Sequence, residues 1–376
     1  MRLALFNVEN LFQTPAVYSL VSGEEETQQK LKDYYQLSDL IEKRVYSDAN
    51  KKRIIDIMND NPGLASKDKK SDLIRLIEIR GHLLNQLFSA VEAMGRDDWI
   101  GWFELIPAAV KETAIENTAR VINVVKADVL CAVEVESRIA VKRFNEMVIP
   151  MVGGEKYKHT LVIDGNDERG MDVGILTKPE FNISSISTHV DDSDEEGIIF
   201  RRDCAEYTIQ TPSGNSILLL VNHFKSQGGT SSKETGEGDS IRRREAKRVR
   251  QIYEERLQQG IEFIAITGDL NHEPSHDSLK PLIENESSLL DVMKHSGFRN
   301  DNLYWTCKRG VKESKLDYIL LSPKLQEKVQ QAGIERRGIW ARECEDEEDS
   351  FERFPEVKEE NDGASNHAAL WVDLDI

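Results

Sequence analysis

The sequence predicts an α+β protein, a mixed-sheet sandwich with helices on its outside. Three observations carry this reading. After Ala127 the chain breaks into many short runs rich in Val, Ile and Leu, separated by Gly, Pro, Asp or Asn. These strand-like runs outnumber the helical stretches between them, and several read as antiparallel, which disfavours a doubly wound parallel sheet. Between the first strand and residue 117 the pattern changes to charged and apolar residues mixed at helical spacing.

Taken in order, Leu3–Phe6 opens the chain as a strand. Residues 13–114 read as a helical insertion or subdomain within a single domain spanning 1–376. Asp72–Glu78 is a helical stretch of it, and Asn59–Lys70 a polar loop. A helix with Ile115, Ala119, Ile122 and Val125 on one face leads into the next strand. Strands are expected at 128–135, 158–163, 173–177, 183–188, 205–211, 216–222, 262–267, 316–321 and 368–375. Helices are expected at about 138–148, 240–258, 275–284 and 323–331. The acidic segment Asp191–Gly197, the Gly/Ser/Thr-rich segment Ser226–Ser240 and the acidic segment Glu343–Ser365 are expected to be mobile.

Composition excludes several classes. The chain has 376 residues, 49 Lys+Arg against 67 Asp+Glu, and a formal net charge of −18. With 39% hydrophobic and 31% charged residues it is neither disordered nor collagen-like. No stretch approaches the roughly 20 apolar residues of a membrane span. No basic, apolar and small-residue leader pattern opens the sequence, so a cytoplasmic location is expected. The acidity argues against coating nucleic acid by bulk charge, but leaves room for a small basic or metal-neutralised phosphate site. Cys131, Cys204, Cys307 and Cys344 show no metal-type spacing. Cys131 and Cys204 read as buried, reduced thiols.

Polar groups recur at strand ends: Asn7 and Glu9, Glu134 and Glu136, Asn222 and His223, Asp269 and Asn271, Asp317, then Asn366 and His367. Singly, each has an ordinary explanation as a turn, cap or structural residue. Together and in order they form the series Asn7-Val8-Glu9-Asn10, Asp128–Glu134, Asn222–Ser226, Gly268–Asn271, Leu316–Leu320 and Ser365–His367. This series resembles the endonuclease/exonuclease/phosphatase superfamily, with its deoxyribonuclease I-like fold. The likeness covers residues 1–12 and roughly 115–376, and Arg169–Leu176 fits the bacterial-type members.

The resemblance implies a four-layer sandwich of two packed mixed sheets flanked by helices, with the insertion after the first strand. It implies a divalent-metal-dependent phosphodiesterase, with an endonuclease acting on DNA or RNA as the leading reading. Glu134 is the implied main metal ligand, with Glu9, Asn7 and Asn366 close to it. Asp269 and Asn271 are placed at the scissile phosphate, His223 on the phosphate, and His367 on a phosphoryl oxygen with Asp317 holding its ring. Lys225 and Arg169 are the implied substrate contacts. Oxygen ligands without a Cys cluster favour Mg²⁺ or Mn²⁺. The expected partner is a nucleic acid substrate, with no stable membrane association. The alternatives are a lipid or small phosphorylated substrate, or a weakened binding scaffold.

One position departs from the family pattern, which reads Ser-Asp-His where this chain has Ser365-Asn366-His367. Three readings stand: an active site with retuned metal preference, an introduced inactivating substitution, or a naturally weakened enzyme. The basic run Arg242–Arg250 has two readings, a backbone-phosphate contact or a solvated helix face, and its Ala246, Val249, Tyr253 and Leu257 stripe favours the second. Trp99 and Trp102 read as packing residues, with base stacking the alternative.

Overall fold

The computed structural model describes residues 1–9, 24–61, 63–64, 73–106, 111–167, 170–227, 232–284, 287–299, 303–340 and 351–376. The chain divides into two compact units, Met1–Leu11 with Lys111–Ile376, and Phe12–Val110.

The larger unit begins with β1 (Arg2–Asn7). The smaller unit then holds α1 (Glu24–Ile41), α2 (Asp48–Asp60), β2 (Ile74–Arg80) and β3 (Ile100–Leu105). The larger unit resumes with α3 (Glu112–Val125), β4 (Val129–Val135), α4 (Arg138–Arg143), α5 (Ile149–Met151), β5 (His159–Ile163), β6 (Asp172–Thr177) and β7 (Asn182–Ser187). It continues through β8 (Ser193–Asp194), β9 (Gly197–Ile198), β10 (Cys204–Gln210), β11 (Ser216–His223), α6 (Ser232–Gln258), β12 (Ile264–Asp269), α7 (Lys280–Ile283) and β13 (Leu290–Asp291). It closes with β14 (Cys307–Arg309), β15 (Lys312–Ser314), β16 (Asp317–Leu321), α8 (Pro323–Gln326), β17 (Val329–Glu335) and β18 (Ala369–Leu374).

Two six-stranded sheets form the sandwich, ordered β17-β18-β1-β4-β6-β5 and β13-β16-β12-β11-β10-β7. Each has one parallel pair at its centre, β1 with β4 and β11 with β12. The remaining pairs are antiparallel. Alternate residues of the central strands meet between the sheets, including Leu3, Leu5, Val129, Cys131, Val133, Leu219, Val221 and Ile319. Outward residues of the second sheet, such as Leu218, Leu220, Ile264 and Ile266, pack on Ala246, Val249, Ile252 and Tyr253 of α6. Strands covered on both faces read as continuous apolar runs, which is why they are conspicuous in the sequence. Helix α3 packs beside β17 and β18, so the layers run helix, sheet, sheet, helix as expected.

Several elements differ from the sequence reading. Of the stretch 72–78, the described residues from 73 on are not helical: Ile74–Arg80 pairs with β3, Ile74 opposite Leu105 and Leu76 opposite Phe103. A short Ile/Leu run fits periods of 2 and 3.6 alike, and the distant partner decides. The expected helix over 323–331 stops at Gln326, and Val329–Glu335 is an edge strand on β18. Lys- and Gln-rich sequence favours a helix locally, but strand pairing overrides it. Gly333 lies so close to Trp371 that a Cβ would fall 2.5 Å from its ring. The helix expected at 275–284 shrinks to four residues, Lys280–Ile283.

The basic run Arg242–Arg250 keeps the expected apolar stripe on the sheet and leaves Arg243 and Lys247 exposed, but its other cations are paired and not solvated. Arg242 is fully buried and donates to Lys225 O and Ser226 O. Arg244 pairs with Asp194, and Arg248 with Asp192 at 2.7 Å and Glu255 at 2.9 Å. The helix therefore pins down the acidic β8–β9 hairpin, which was expected to be mobile. Of the other two such segments, residues 228–231 and 341–350 lie outside the described residues. Within the last segment, Asp362 O and Ala364 O accept from Asn117 and Thr118 of α3. Cys131, Cys204 and Cys307 are buried and free; Cys344 lies outside the described residues. In the smaller unit Trp99 is buried and donates to Tyr46 Oη, whereas Trp102 is exposed. No helix among the described residues is long and apolar enough to cross a membrane.

The central parallel pair β11–β12 constrains one glycine. Gly268 has φ +153°, and a Cβ there would fall 2.1 Å from Asn222 O. Gly268→Ala is expected to cost about 2–3 kcal/mol through overpacking and backbone strain. A urea midpoint clearly below that of the wild type is the expected result; an unchanged midpoint contradicts this reading of the strand contact.

Candidate active site

The registers of the two sheets explain why chemistry-bearing side chains meet. In the second sheet His223 lies opposite Asp269, and Asp269 opposite Asp317, so three adjacent strands present them at one level. In the first sheet β1 and β4 run parallel and end together, at Asn7 and just past Val133. Glu134 occupies a bulge in β4: Val133 faces Val173 and Val135 faces Asp172, leaving Glu134 as the extra residue with φ +60°. A bulge re-aims one side chain without ending the strand. Glu9 and Asn271 are likewise left-handed, with φ +52° and +54°. Three of the expected site residues thus hold a conformation that non-glycine residues rarely adopt.

Asn7 joins the sheets. Its Nδ2 donates to Glu134 Oε1 at 3.1 Å and to Asp269 Oδ2 at 3.0 Å. Its Oδ1 accepts from Glu9 N at 3.1 Å. Asp269 Oδ1 accepts from Asn271 N at 2.8 Å, and His223 Nε2 lies 3.5 Å from Glu134 Oε1. His367 Nδ1 lies 2.8 Å from Asp317 Oδ2. The other nitrogen, Nε2, is buried without a hydrogen-bond partner among the described residues, 3.9 Å from Asp269 Oδ2.

The electrostatics follow from burial. Desolvation first, then the charges of Asp317 and Glu134, push the Asp269 carboxyl up, partly offset by His367. Burial works against the His367 imidazolium, but Asp317 outweighs it, with help from Cys307, and holds the ring well above its ordinary pKa. Of three groups of ligand atoms among the described residues that could hold a cation, two lie in this cleft: Glu134, His223 and Asp269, and Asp269, Asp317 and His367. Buried carboxylates that resist their own charge, with hard oxygen donors, fit a divalent cation such as Mg²⁺ or Mn²⁺.

Asn366 is turned toward Glu9. Its backbone N donates to Glu9 Oε2 at 2.8 Å and its Nδ2 to Glu9 Oε1 at 2.7 Å. Asn271 uses its side-chain amide on Phe224 O at 3.0 Å. Lys225 lies on the loop after His223, where its backbone N donates to buried Glu245. Arg169 lies outside the described residues.

Five contributors escaped the sequence reading. Thr306 Oγ1 donates to Asp317 Oδ2 at 2.7 Å and accepts from the backbone N of Asp317, fixing the carboxylate that holds His367. Glu245 accepts from Lys225 N and Arg201 N, and burial raises its pKa to about 7. Lys308 N donates to Asn366 O, and Cys307 bridges to His367, so the β14–β15 hairpin flanks the cleft. For Arg309 on that hairpin, burial works against the guanidinium, but the charges of Glu9, Cys307, Glu134 and Asp269 outweigh it and raise its pKa. Three-residue strands carry no periodic signal, so nothing in the sequence marked this hairpin.

Residues 108–307, just over half of the chain, match the profile described as the Endonuclease/Exonuclease/phosphatase family. The chain belongs to that family. Members are mostly hydrolases, phosphatases and nucleases among them, and generally use divalent metals. The fold is also that of an endonuclease/exonuclease/phosphatase from Bacteroides vulgatus (14% identity, 70% of this chain and 91% of that one, TM-score 0.50). A mannosyl-6-phosphatase from Bacteroides thetaiotaomicron matches at 18% identity over 70% and 91%, TM-score 0.49. The human Nocturnin catalytic domain matches at 15% over 80% and 96%, TM-score 0.47. No curated protein matches the chain.

The pairing of Asn366 with Glu9 makes a direct prediction. In Asn366→Asp a donor becomes a second carboxylate 2.7 Å from Glu9. Without divalent metal at pH 8 the variant should lose about 1–3 kcal/mol of stability. At pH 4–5, where one of the two carboxyls takes a proton and can donate again, most of that loss should return. Thermal unfolding at both pH values checks this; equal stability of variant and wild type at pH 8 contradicts it.

Proposed function

We propose that this protein is a divalent-metal-dependent phosphodiesterase, and that its substrate is nucleic acid, most simply DNA cut internally. The observation that supports this best is the Asp317–His367 pair, whose unpartnered Nε2 stands 3.9 Å from Asp269 beside Glu134. Phosphodiester hydrolysis needs a positioned water, a donor to the phosphoryl oxygens and neutralisation of their charge. A divalent cation on Glu134, with Asp269, His223, Glu9, Asn7 and Asn366 around it, would supply the neutralisation.

The chain's own residues supply the rest. Asp269, held by Asn7 Nδ2 and Asn271 N, orients the attacking water and takes its proton. Those two hydrogen bonds fix the direction in which the carboxylate faces the water. His367, kept protonated by Asp317, donates from Nε2 to a phosphoryl oxygen. Thr306 fixes Asp317 in turn. His223 faces the phosphate from the adjacent strand, and Asn271 holds the water or a phosphate oxygen from beside Asp269. Arg309, Lys225 and Arg169 are the flanking phosphate contacts.

With Mg²⁺ or Mn²⁺ the protein is expected to nick plasmid or cut single-stranded DNA, and EDTA is expected to abolish the cleavage. Absence of cleavage with both metals overturns the reading. Asp317→Asn removes the charge that keeps His367 protonated. Its rate is expected to fall at least 10²-fold, by analogy with the orienting carboxylate of hydrolase triads. The alkaline limb of its pH–rate profile should also move to lower pH, since a raised His pKa keeps the imidazolium only while the carboxylate is present. An unshifted profile contradicts the role given to this pair.

A further inference from the structure

We propose that a groove on the flank of the sandwich, between edge strands β5 and β7, is a second binding site for the phosphate backbone of nucleic acid. The inference rests on the nuclease reading above and extends it to substrate length. The groove has a volume of about 640 Å³, and its charged lining is Arg138, Lys142, Lys156, Lys158, His159 and a single acid, Glu146. Four fixed cations against one carboxylate stand out on a protein of net charge −18.

On α6, Arg242, Arg244, Arg248 and Arg250 are held by Asp239, Asp194, Asp192, Glu254 and Glu255, and only Arg243 and Lys247 stay exposed without an ion pair among the described residues. By contrast, Lys156 and Lys158 are exposed and make no ion pair among the described residues. Lys142 meets only exposed Glu146, at 3.7 Å, a pair of little energetic weight. A row of unneutralised cations lining a groove is the electrostatic footprint of a polyanion.

An acidic peptide added as an extra strand is the competing occupant, because β5 and β7 are both sheet edges. Strand addition draws on free edge carbonyls, and here Arg138 Nε already donates to Thr160 O of β5 at 3.0 Å. The cations also lie on α4 and on the turn before β5, spread along the groove and not alternating on one strand. Both features favour a ligand recognised by its phosphates.

Strand register sets the distance from the cleft. His159 lies opposite Thr177, and Thr177 opposite Val129. From Val129 to Glu134 is five residues along β4, about 17 Å at 3.3 Å per residue, and β5 lies two strands, about 10 Å, to the side, so the separation is about 19 Å. Duplex DNA rises about 3.4 Å per base pair, so about five to six base pairs separate a phosphate at the cleft from one at the groove. A substrate shorter than that on the groove side reaches the cleft alone.

The test uses the full chain with Lys156→Glu/Lys158→Glu, and Lys280→Glu/Lys324→Glu as an equal charge change elsewhere. Binding of a 20-base-pair duplex is read by fluorescence anisotropy in EDTA, where no cleavage occurs. The groove variant is expected to bind at least fivefold more weakly, with a salt slope reduced by about 2, while the control stays within twofold of wild type. Hydrolysis of bis(p-nitrophenyl) phosphate with Mn²⁺ should be unchanged in both variants. Equal weakening of both variants, or unchanged binding by the groove variant, overturns the proposal. Failure of the wild type to hydrolyse any phosphodiester overturns the nuclease reading, whereas the anisotropy result tests the groove independently of catalysis.

Discussion

One amide group ties this molecule together at its centre. Asn7 Nδ2 donates at once to Glu134 in its own sheet and to Asp269 in the other. Two carboxylates are thereby brought to one point from opposite halves of the sandwich. Both sheets must end at the same level for this to happen, which the two central parallel pairs achieve by running side by side and stopping together. The continuous apolar core beneath fixes the sheets against each other, and the cleft inherits that rigidity.

The cleft is also where the fold tolerates unfavourable geometry. Glu9, Glu134 and Asn271 sit in the left-handed region, at a cost of about 1–3 kcal/mol each. Asp269 and Asp317 are buried close together against desolvation and mutual repulsion. None of this stabilises the protein in the absence of a ligand. Such features persist where the surroundings over-determine them, and here they converge on one spot. On the proposed function, a cation between the carboxylates would relieve the repulsion, and an approaching phosphate would meet Arg309 and His367 and not bare negative charge.

Much of this was legible in the sequence, and the misses share a cause. Polar residues that tip buried apolar runs, such as Asn7, His223, Asp269 and Asp317, announce themselves by contrast. The layered sandwich follows from the same runs. What local pattern cannot reveal is which partner lies far away in sequence. Ile74–Arg80 and Val329–Glu335 are strands because β3 and β18 pair with them. Arg244 and Arg248 read as solvent-facing, yet their partners lie some fifty residues earlier at Asp194 and Asp192. Thr306 and Arg309 stand in three-residue strands and turns, where no periodicity exists to read. The change at Asn366 was visible, but its hold on Glu9 was not.

The net charge of −18 acquires a location. Part of it is neutralised internally by α6, part lines the cleft, and the flank groove carries the opposite sign. The account's central claim is that Glu134 and Asp269 share a divalent cation. Anomalous diffraction from crystals soaked in Mn²⁺ tests it most directly. The account predicts a peak between the Glu134 and Asp269 carboxylates, within about 2.5 Å of a Glu134 oxygen, that disappears in Glu134→Gln. A cleft with no peak, or a peak that persists in Glu134→Gln, contradicts it.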